Sequence, residues 1–242
     1  MIHFKGRPDG LGNRFEELIL LKILQNRTNE NITYYWNNIQ APNYYRKYDI
    51  KIKIKNIDIL ELKQTDLSSI NYFQHLRKSL LDITQDEMLF AAKEILPTFQ
   101  IKDNVDGHVG LHIRLGDKIR HPPRVGEMSI EESNYSIQKS IEFIKKNKID
   151  KLFICSDDIS IINYLKSNLD IEIISGTKDE YMDFFLLSKT KYIIMGSKIS
   201  SFAFTAALVG NKDIYNFFDI NTLSNENKDQ ILRYKTKLKT IL

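Results

Sequence analysis

Between residues 108 and 217 short apolar runs alternate with longer amphipathic ones, and that alternation constrains the fold more than any other feature of the chain. The apolar runs are 108–113, 151–155, 171–174, 192–195 and 213–217. Each is too short for a helix, and Val109, Leu111 and Ile113 alternate with smaller or polar residues in the period of a strand. The intervening segments read as helices. The first starts at Ser129, with Glu132 at the capping-box position and an apolar stripe of Ile130, Ile137, Ile141 and Ile144. Others are expected near 159–169, 180–188 and 200–209. Repeated strand–helix units demand parallel pairing and right-handed crossovers, so this half predicts an α/β fold with a parallel sheet.

Polar residues follow each strand in turn. His112 and Arg114 end the first, Ser156, Asp157 and Asp158 the second, Ser175 and Gly176 the third, and Gly196, Ser197 and Lys198 with Ser200 and Ser201 the fourth. In an open α/β sheet the crevice outside the carboxyl ends of the strands is where ligands bind. A guanidinium there offers a charged, planar fork of donors suited to phosphate or diphosphate oxygens. Carboxylates can accept from ribose hydroxyls or a base, and serines at a helix start can donate to phosphate. Two plainer readings stand beside these: Arg114 as a surface partner of Asp117, and Asp183 as a first-turn acid favoured by the helix dipole rather than a base-recognising carboxylate.

The first hundred residues are less regular. A strand at Ile2–Lys5 leads through Gly6-Arg7-Pro8-Asp9-Gly10-Leu11-Gly12-Asn13-Arg14 into a helix dense in Phe15, Leu18, Ile19, Leu21 and Ile23, with Glu16 and Lys22 expected outside. Such a glycine-bearing turn can meet an anionic or sugar ligand with backbone N–H groups, or can simply join a strand to a helix. Ile32–Trp36 and 50–55 read as further strands. The aromatic stretch 43–48 reads as a loop, and Thr84 with Glu87 as a capping box ahead of a helix over 88–96 that Pro97 ends. The polar stretch 102–107 marks a domain boundary.

Composition narrows the partners. The 242 residues carry a formal charge of +4, too mild and too scattered to argue for nucleic acid and equally suited to a small anion. One cysteine, Cys155, excludes an internal disulfide framework and a cysteine-based zinc site, and its apolar run predicts burial. No signal-peptide pattern and no bilayer-length apolar run is present, so a cytoplasmic location is expected. The segment 231–242 reads as a helix with Ile231, Tyr234, Leu238 and Ile241 near one face and Arg233, Lys235, Lys237 and Lys239 largely elsewhere. Such a helix packs across two domains or rests on an anionic membrane.

Four motifs, in order, resemble those of the fucosyltransferase superfamily that includes the α1,2-, α1,6- and protein O-fucosyltransferases. Gly10-Leu11-Gly12-Asn13-Arg14 is similar to its N-terminal G-x-G-N loop, and His112-Ile113-Arg114-Leu115-Gly116-Asp117 to its H-x-R-R-x-D motif. Phe153 to Asp158 resembles its strand ending in S-D-D. Asp183 to Ser188, followed by Gly196-Ser197 and Ser200-Ser201-Phe202, resembles its D-x-x-x-L-S and S-S-F-S segments. The resemblance implies a GT-B architecture, two Rossmann-like α/β domains facing across a cleft. Here these would be residues 1–106, binding the acceptor, and 107–242, binding the nucleotide-sugar and ending in a helix.

The same resemblance implies an inverting, metal-independent glycosyltransferase that moves L-fucose from GDP-fucose to a glycan or lipid-linked oligosaccharide acceptor. Arg114 would clamp the β-phosphate, His112 and Asp183 would contact guanine, and Asp157 or Asp158 would hold the ribose. Gly12 and Asn13 would line the donor site, with Asn13 by the fucose. Ser197, Ser200 and Ser201 are the candidate phosphate donors, and Asp117 or Glu127 could take the acceptor's proton. Two departures stand out: Leu115 occupies the place of a second Arg found in many members, and Lys198-Ile199 interrupts the serine segment. Transfer from another nucleotide-sugar, or non-catalytic binding of a nucleotide or glycan, is the alternative.

Overall fold

The structure is a computed structural model that describes residues 1–39, 47–63, 71–72, 80, 82–115, 128–218 and 238–240. The chain forms two compact units, Met1–Gln100 and Ile101–Leu242.

In the first unit β1 (Ile2–Lys5) leads into α1 (Leu11–Thr28), followed by β2 (Ile32–Trp36), β3 (Ile52–Lys53), β4 (Ile57–Glu61), β5 (Asn71–Tyr72), α2 (Gln85–Lys93) and β6 (Leu96–Pro97). Four strands form a parallel sheet in the order β4-β2-β1-β5, and β3 pairs antiparallel with β6. The dense apolar content of α1 is explained by burial along most of its length, with Phe15, Leu18, Ile19 and Leu21 fully enclosed. Glu16 and Lys22, expected outside, are buried as well. Burial is tolerated because Lys22 Nζ donates to Gln25 Oε1 at 2.8 Å and to the Lys55 carbonyl at 2.9 Å, while Glu16 lies 4.0 Å from the Arg7 guanidinium.

The alternating stretch 50–55 yields only the two residues of β3. The chain reverses at Asn56, whose φ of 63° is left-handed, and β4 then joins the sheet. The capping box at Thr84 and Glu87 forms as expected, but α2 ends at Lys93, because Leu96 and Pro97 pair with β3 instead of extending the helix.

The second unit holds β7 (Val109–Ile113), α3 (Ile130–Lys146), β8 (Lys151–Ser156), α4 (Ile159–Asn168), β9 (Glu172–Ser175), α5 (Glu180–Lys189), β10 (Ile193–Met195), α6 (Ser201–Gly210), β11 (Ile214–Asn216) and β12 (Leu238–Thr240). Its six strands are all parallel, in the order β12-β11-β10-β7-β8-β9. Every residue of the central β7 is buried, as a parallel strand covered on both faces requires. Its Val109, Leu111 and Ile113 pack with Ile137, Ile141 and Ile144 of α3 and with Leu152 and Ile154 of β8 in one apolar core. Gly210 at the end of α6 has no room for a side chain, since a Cβ there would lie 1.8 Å from the Ser188 carbonyl oxygen.

One expectation fails in this unit. Leu238, Lys239 and Thr240 form a strand paired with β11, not part of a helix; residues 231–237 and 241–242 lie outside the described residues. A parallel partner on β11 satisfies their backbone groups, and Lys239 Nζ reaches Asp213 Oδ2 at 2.6 Å. Among the described residues no helix is long and apolar enough to cross a membrane.

Candidate active site

From β7 the chain moves outward to β8 and β9, and then crosses back to β10, β11 and β12 on the other side. The strand order therefore reverses between β7 and β10, and in open α/β sheets the place outside the carboxyl ends at such a reversal is where ligands bind. The two strand ends are knit together. Gly196 N–H donates to the His112 carbonyl at 2.9 Å, and the backbone N–H of Arg114 donates to Ser197 Oγ at 3.2 Å. No side chain would fit at Gly196, where a Cβ would meet Ile113 Cγ1 at 2.8 Å.

His112 is 5% exposed and its ring stacks on Phe202 at the start of α6, with centroids 5.2 Å apart and planes 22° from parallel. Burial, with the neighbouring Arg114 charge second, lowers its pKa from 6.5 to about 3, so the imidazole is neutral near pH 7. A neutral ring can accept as well as donate, and Nδ1 is buried without a hydrogen-bond partner.

Ser200 is the N-cap of α6, its Oγ accepting the Ala203 N–H at 3.3 Å, and Ser201 is the first helical residue. The first turn of α6 contains no acid. Helix geometry gives the first N–H groups no partner within the helix, and the dipole makes that end attractive to an anion. Behind the turn, Asn216 Nδ2 donates to the carbonyls of Ser197 and Lys198 at 3.1 and 3.4 Å, and Ser136 Oγ to that of Gly196 at 2.7 Å. Neither Asn216 nor Ser136 figures among the sequence candidates. Asn216 carried the same signal as the others, a polar residue at a strand end.

The two aspartates after β8 divide their work. Asp157 Oδ1 accepts the Leu115 N–H at 3.0 Å and so joins β8 to the end of β7. Asp158 is the N-cap of α4 and accepts from Ser160 N–H and Oγ at 2.8 and 2.7 Å. Asp183 lies in the first turn of α5, as one of the two readings has it, and it takes a further role. It is 7% exposed, and its Oδ1 accepts the Thr177 N–H at 2.6 Å and the Thr177 hydroxyl at 2.9 Å, fixing the loop between β9 and α5. Burial pushes its carboxyl above the usual range, against the pull of the Thr177 bonds. Gly176 leaves the space that Asp183 needs: a Cβ there would lie 2.6 Å from Asp183 Oδ2. Cys155, buried in β8, has its thiol held in the neutral form by burial and by the charges of Asp183, Glu180 and Asp157.

Gly12 and Asn13 belong to the first unit. The glycine-bearing turn ends at Gly10, and both residues lie in the first turn of α1 instead of in a loop. Asp9 organises that start, accepting the Gly10 N–H at 2.9 Å and Asn13 Nδ2 at 2.6 Å, while its carbonyl accepts from Arg14 Nε at 2.8 Å. Arg14 is fully buried over the Trp36 ring, 4.7 Å from its centroid, and donates to the Asn37 carbonyl at 3.0 Å. Beside it Arg7 Nε and the Tyr34 hydroxyl each reach the buried Glu17 carboxylate at 2.6 Å. Asp117 and Glu127 lie outside the described residues. Among the described residues no cluster of three or more His, Cys, Asp or Glu is placed to hold a metal ion.

A parallel sheet with a reversed strand order, and an arginine, a neutral histidine and a helix start near the reversal, define a doubly wound α/β class. Within it, residues 13–236 match the model of glycosyl transferase family 11, and the chain belongs to that family; it is a glycosyltransferase. Its fold is that of the GT-B fucosyltransferases. The α-1,6-fucosyltransferase NodZ from Bradyrhizobium, in a crystal soaked with GDP-fucose, superposes with a TM-score of 0.59 at 13% identity over 89% of this chain and 94% of that one. NodZ co-crystallised with GDP gives 0.61 at 13% identity over 90% and 95%. POFUT1 in complex with GDP-fucose gives 0.54 at 11% identity over 87% and 94%. No curated protein matches the chain in sequence.

Proposed function

We propose that the protein is an inverting, metal-independent fucosyltransferase that moves L-fucose from GDP-fucose to a glycan. The observation that carries this reading is the reversal of strand order between β7 and β10, with Arg114, His112 and the acid-free start of α6 close to the ends of those two strands. The family, and the nucleotide and sugar bound by NodZ and POFUT1, support the donor.

The chemistry sets what the site must do. As the bond between the anomeric carbon and the β-phosphate oxygen breaks, positive charge grows on the sugar and negative charge on the departing GDP. Donors fixed in advance toward the leaving oxygen stabilise that charge more in the transition state than in the bound substrate. Arg114 supplies a bidentate, permanently charged fork, and α6 supplies N–H groups and its dipole. His112, neutral and enclosed against Phe202, suits hydrogen bonding to an uncharged base. Asp183, Asp157, Ser197, Ser200 and Ser201 line the rest of the edge, and Asp158 serves through its cap on α4. Direct attack by an acceptor hydroxyl on the face opposite GDP inverts the anomeric centre, with Asp117 or Glu127 as the base. Asn13, near the start of α1, would meet the fucose.

A ligand at about 100 times its dissociation constant adds roughly 2.7 kcal/mol of stability, or about 5–10 °C in a chain of this size. GDP should therefore raise the melting temperature more than UDP or CMP, and GDP release from GDP-fucose with acceptor should survive EDTA. Equal shifts for all three nucleotides would remove the donor assignment, and a requirement for manganese would remove metal independence.

A further inference from the structure

Lys198 stands in the turn between β10 and α6, one residue after the Ser197 hydroxyl that accepts the Arg114 N–H and two before the Ser200 cap. Asn216 and Ser136 hold the carbonyls of this turn from behind, so its backbone is fixed and the freedom left to Lys198 is the direction of its four-carbon stem. Its Nζ rests on Glu132 Oε1 at 2.5 Å. Glu132 does not depend on that contact, since its Oε2 accepts the Ser129 N–H at 2.9 Å in the capping box of α3. The glutamate side chain is 36% exposed, and a pair open to water on one side is weak.

Charge supplies the other half of the argument. A departing nucleoside diphosphate carries more negative charge than one guanidinium matches. Leu115, next to Arg114, is buried at 4% exposure in the apolar core and offers none. We propose that Lys198 is a second cation for the departing diphosphate, exchanging Glu132 for β-phosphate oxygens when the donor binds. This rests on the donor reading above. The anomeric carbon–oxygen bond breaks, its electron pair stays on the β-phosphate oxygen, and Lys198 donates a hydrogen bond there while keeping its proton. The acceptor oxygen forms the new bond, and its proton passes to the base. Glu132 is then a positioning residue that keeps the ammonium beside the site and competes with the phosphate for it.

Calorimetric titration of GDP and GMP into the wild type, Lys198→Met, Lys198→Arg and Glu132→Gln tests this. Gln keeps the capping box but loses the charge. Lys198→Met should weaken GDP about tenfold, as for a lost charge-assisted bond, with GMP changed less than about twofold. Lys198→Arg should restore most of the preference for GDP, and Glu132→Gln should tighten GDP about two- to threefold, the scale of a weak pair removed as a competitor. A purely structural latch forecasts the opposite pattern, with Lys198→Met and Glu132→Gln weakening GDP alike in step with a lowered melting temperature. That pattern, or an unchanged GDP-to-GMP ratio in Lys198→Met, overturns the assignment of Lys198 alone. Failure of the wild type to bind GDP overturns the donor reading and this inference together.

Discussion

Replacing Arg114 by lysine separates a catalytic contact from a structural one. Lysine keeps the charge and loses the planar fork, so one point contact replaces a bidentate pair. The fold should not change, because the bond that ties this position to β10 runs from its backbone N–H to Ser197 Oγ and survives any side chain. A surface ion pair at this turn is worth about 0–1 kcal/mol, so the melting temperature should move by no more than about 4 °C. The transition-state term is larger. Loss of one fixed donor to a developing oxyanion costs about 2.7–4 kcal/mol, a fall in kcat of about 10²–10³, while GDP affinity should weaken by about 1.5–3 kcal/mol at most. Turnover by GDP release, GDP affinity by calorimetry and the melting temperature are the three readouts. His112 supplies an internal control, because the Arg114 charge is the second cause of its low pKa. An Arg114→Met variant should raise the imidazole pKa, whereas Arg114→Lys should leave it near its present value by NMR titration. A Lys variant that keeps more than about a third of the wild-type rate, against the loss expected for a transition-state donor, takes Arg114 out of the mechanism.

Two further outcomes concern stability. The folded-state pKa of His112, about 3, lies below the ordinary 6.5, so the unfolded chain binds the extra proton first. Stability should therefore fall as pH drops from about 6.5 towards 3, by up to about 1.4 kcal/mol per unit from this one group. His112→Phe, which preserves a ring against Phe202, should flatten that limb in urea titrations; an unchanged slope means the imidazole is not held neutral. In the first unit, Glu17→Gln takes away the carboxylate nearest Arg7, with Glu16 and Asp9 left at 4.0 Å, and should cost about 3 kcal/mol, whereas Tyr34→Phe removes one bond to a carboxylate and should cost about 1.5–3 kcal/mol. A Glu17→Gln variant that denatures within about 1 kcal/mol of the wild type, far below the cost of a broken buried pair, would show that the buried network adds nothing.

The second unit was legible because its signals are local. Each strand from β7 to β11 is an apolar run closed by a polar residue, and Ser129 with Glu132 marks the start of α3 by spacing alone. The strand-end rule also found the edge itself. What it could not assign was the job of each polar group. Asp183 reads as a first-turn acid or a base-recognising carboxylate and Asp158 as one of two candidates for the ribose; the bonds from Thr177 to Asp183 and the cap of Asp158 on α4 depend on loops that sequence spacing does not specify. Elsewhere tertiary partners decided against local pattern. Leu238, Lys239 and Thr240 fit a helical stripe as well as a strand, and the free edge of β11 settled the choice. Lys22 and Glu16 were assigned to solvent by residue type, and long-range partners at Lys55 and Arg7 brought them inside.

Strand β12 closes the edge of the second unit's sheet beside β11. Without β12, strand β11 would be the margin of the sheet, its backbone groups open to water and to any passing strand. Asn216, the residue that clasps the Ser197 and Lys198 carbonyls, is the final residue of β11, and its register partner is Thr240. The turn between β10 and α6 is thus backed by a segment synthesised after every other part of that edge. A nascent chain can assemble β7 to β10 and still lack the buttress that steadies the turn before α6. Order at this edge is completed by the last pairing to be synthesised, one only 24 residues apart in sequence, so it waits on arrival of the chain and not on closure of a long loop.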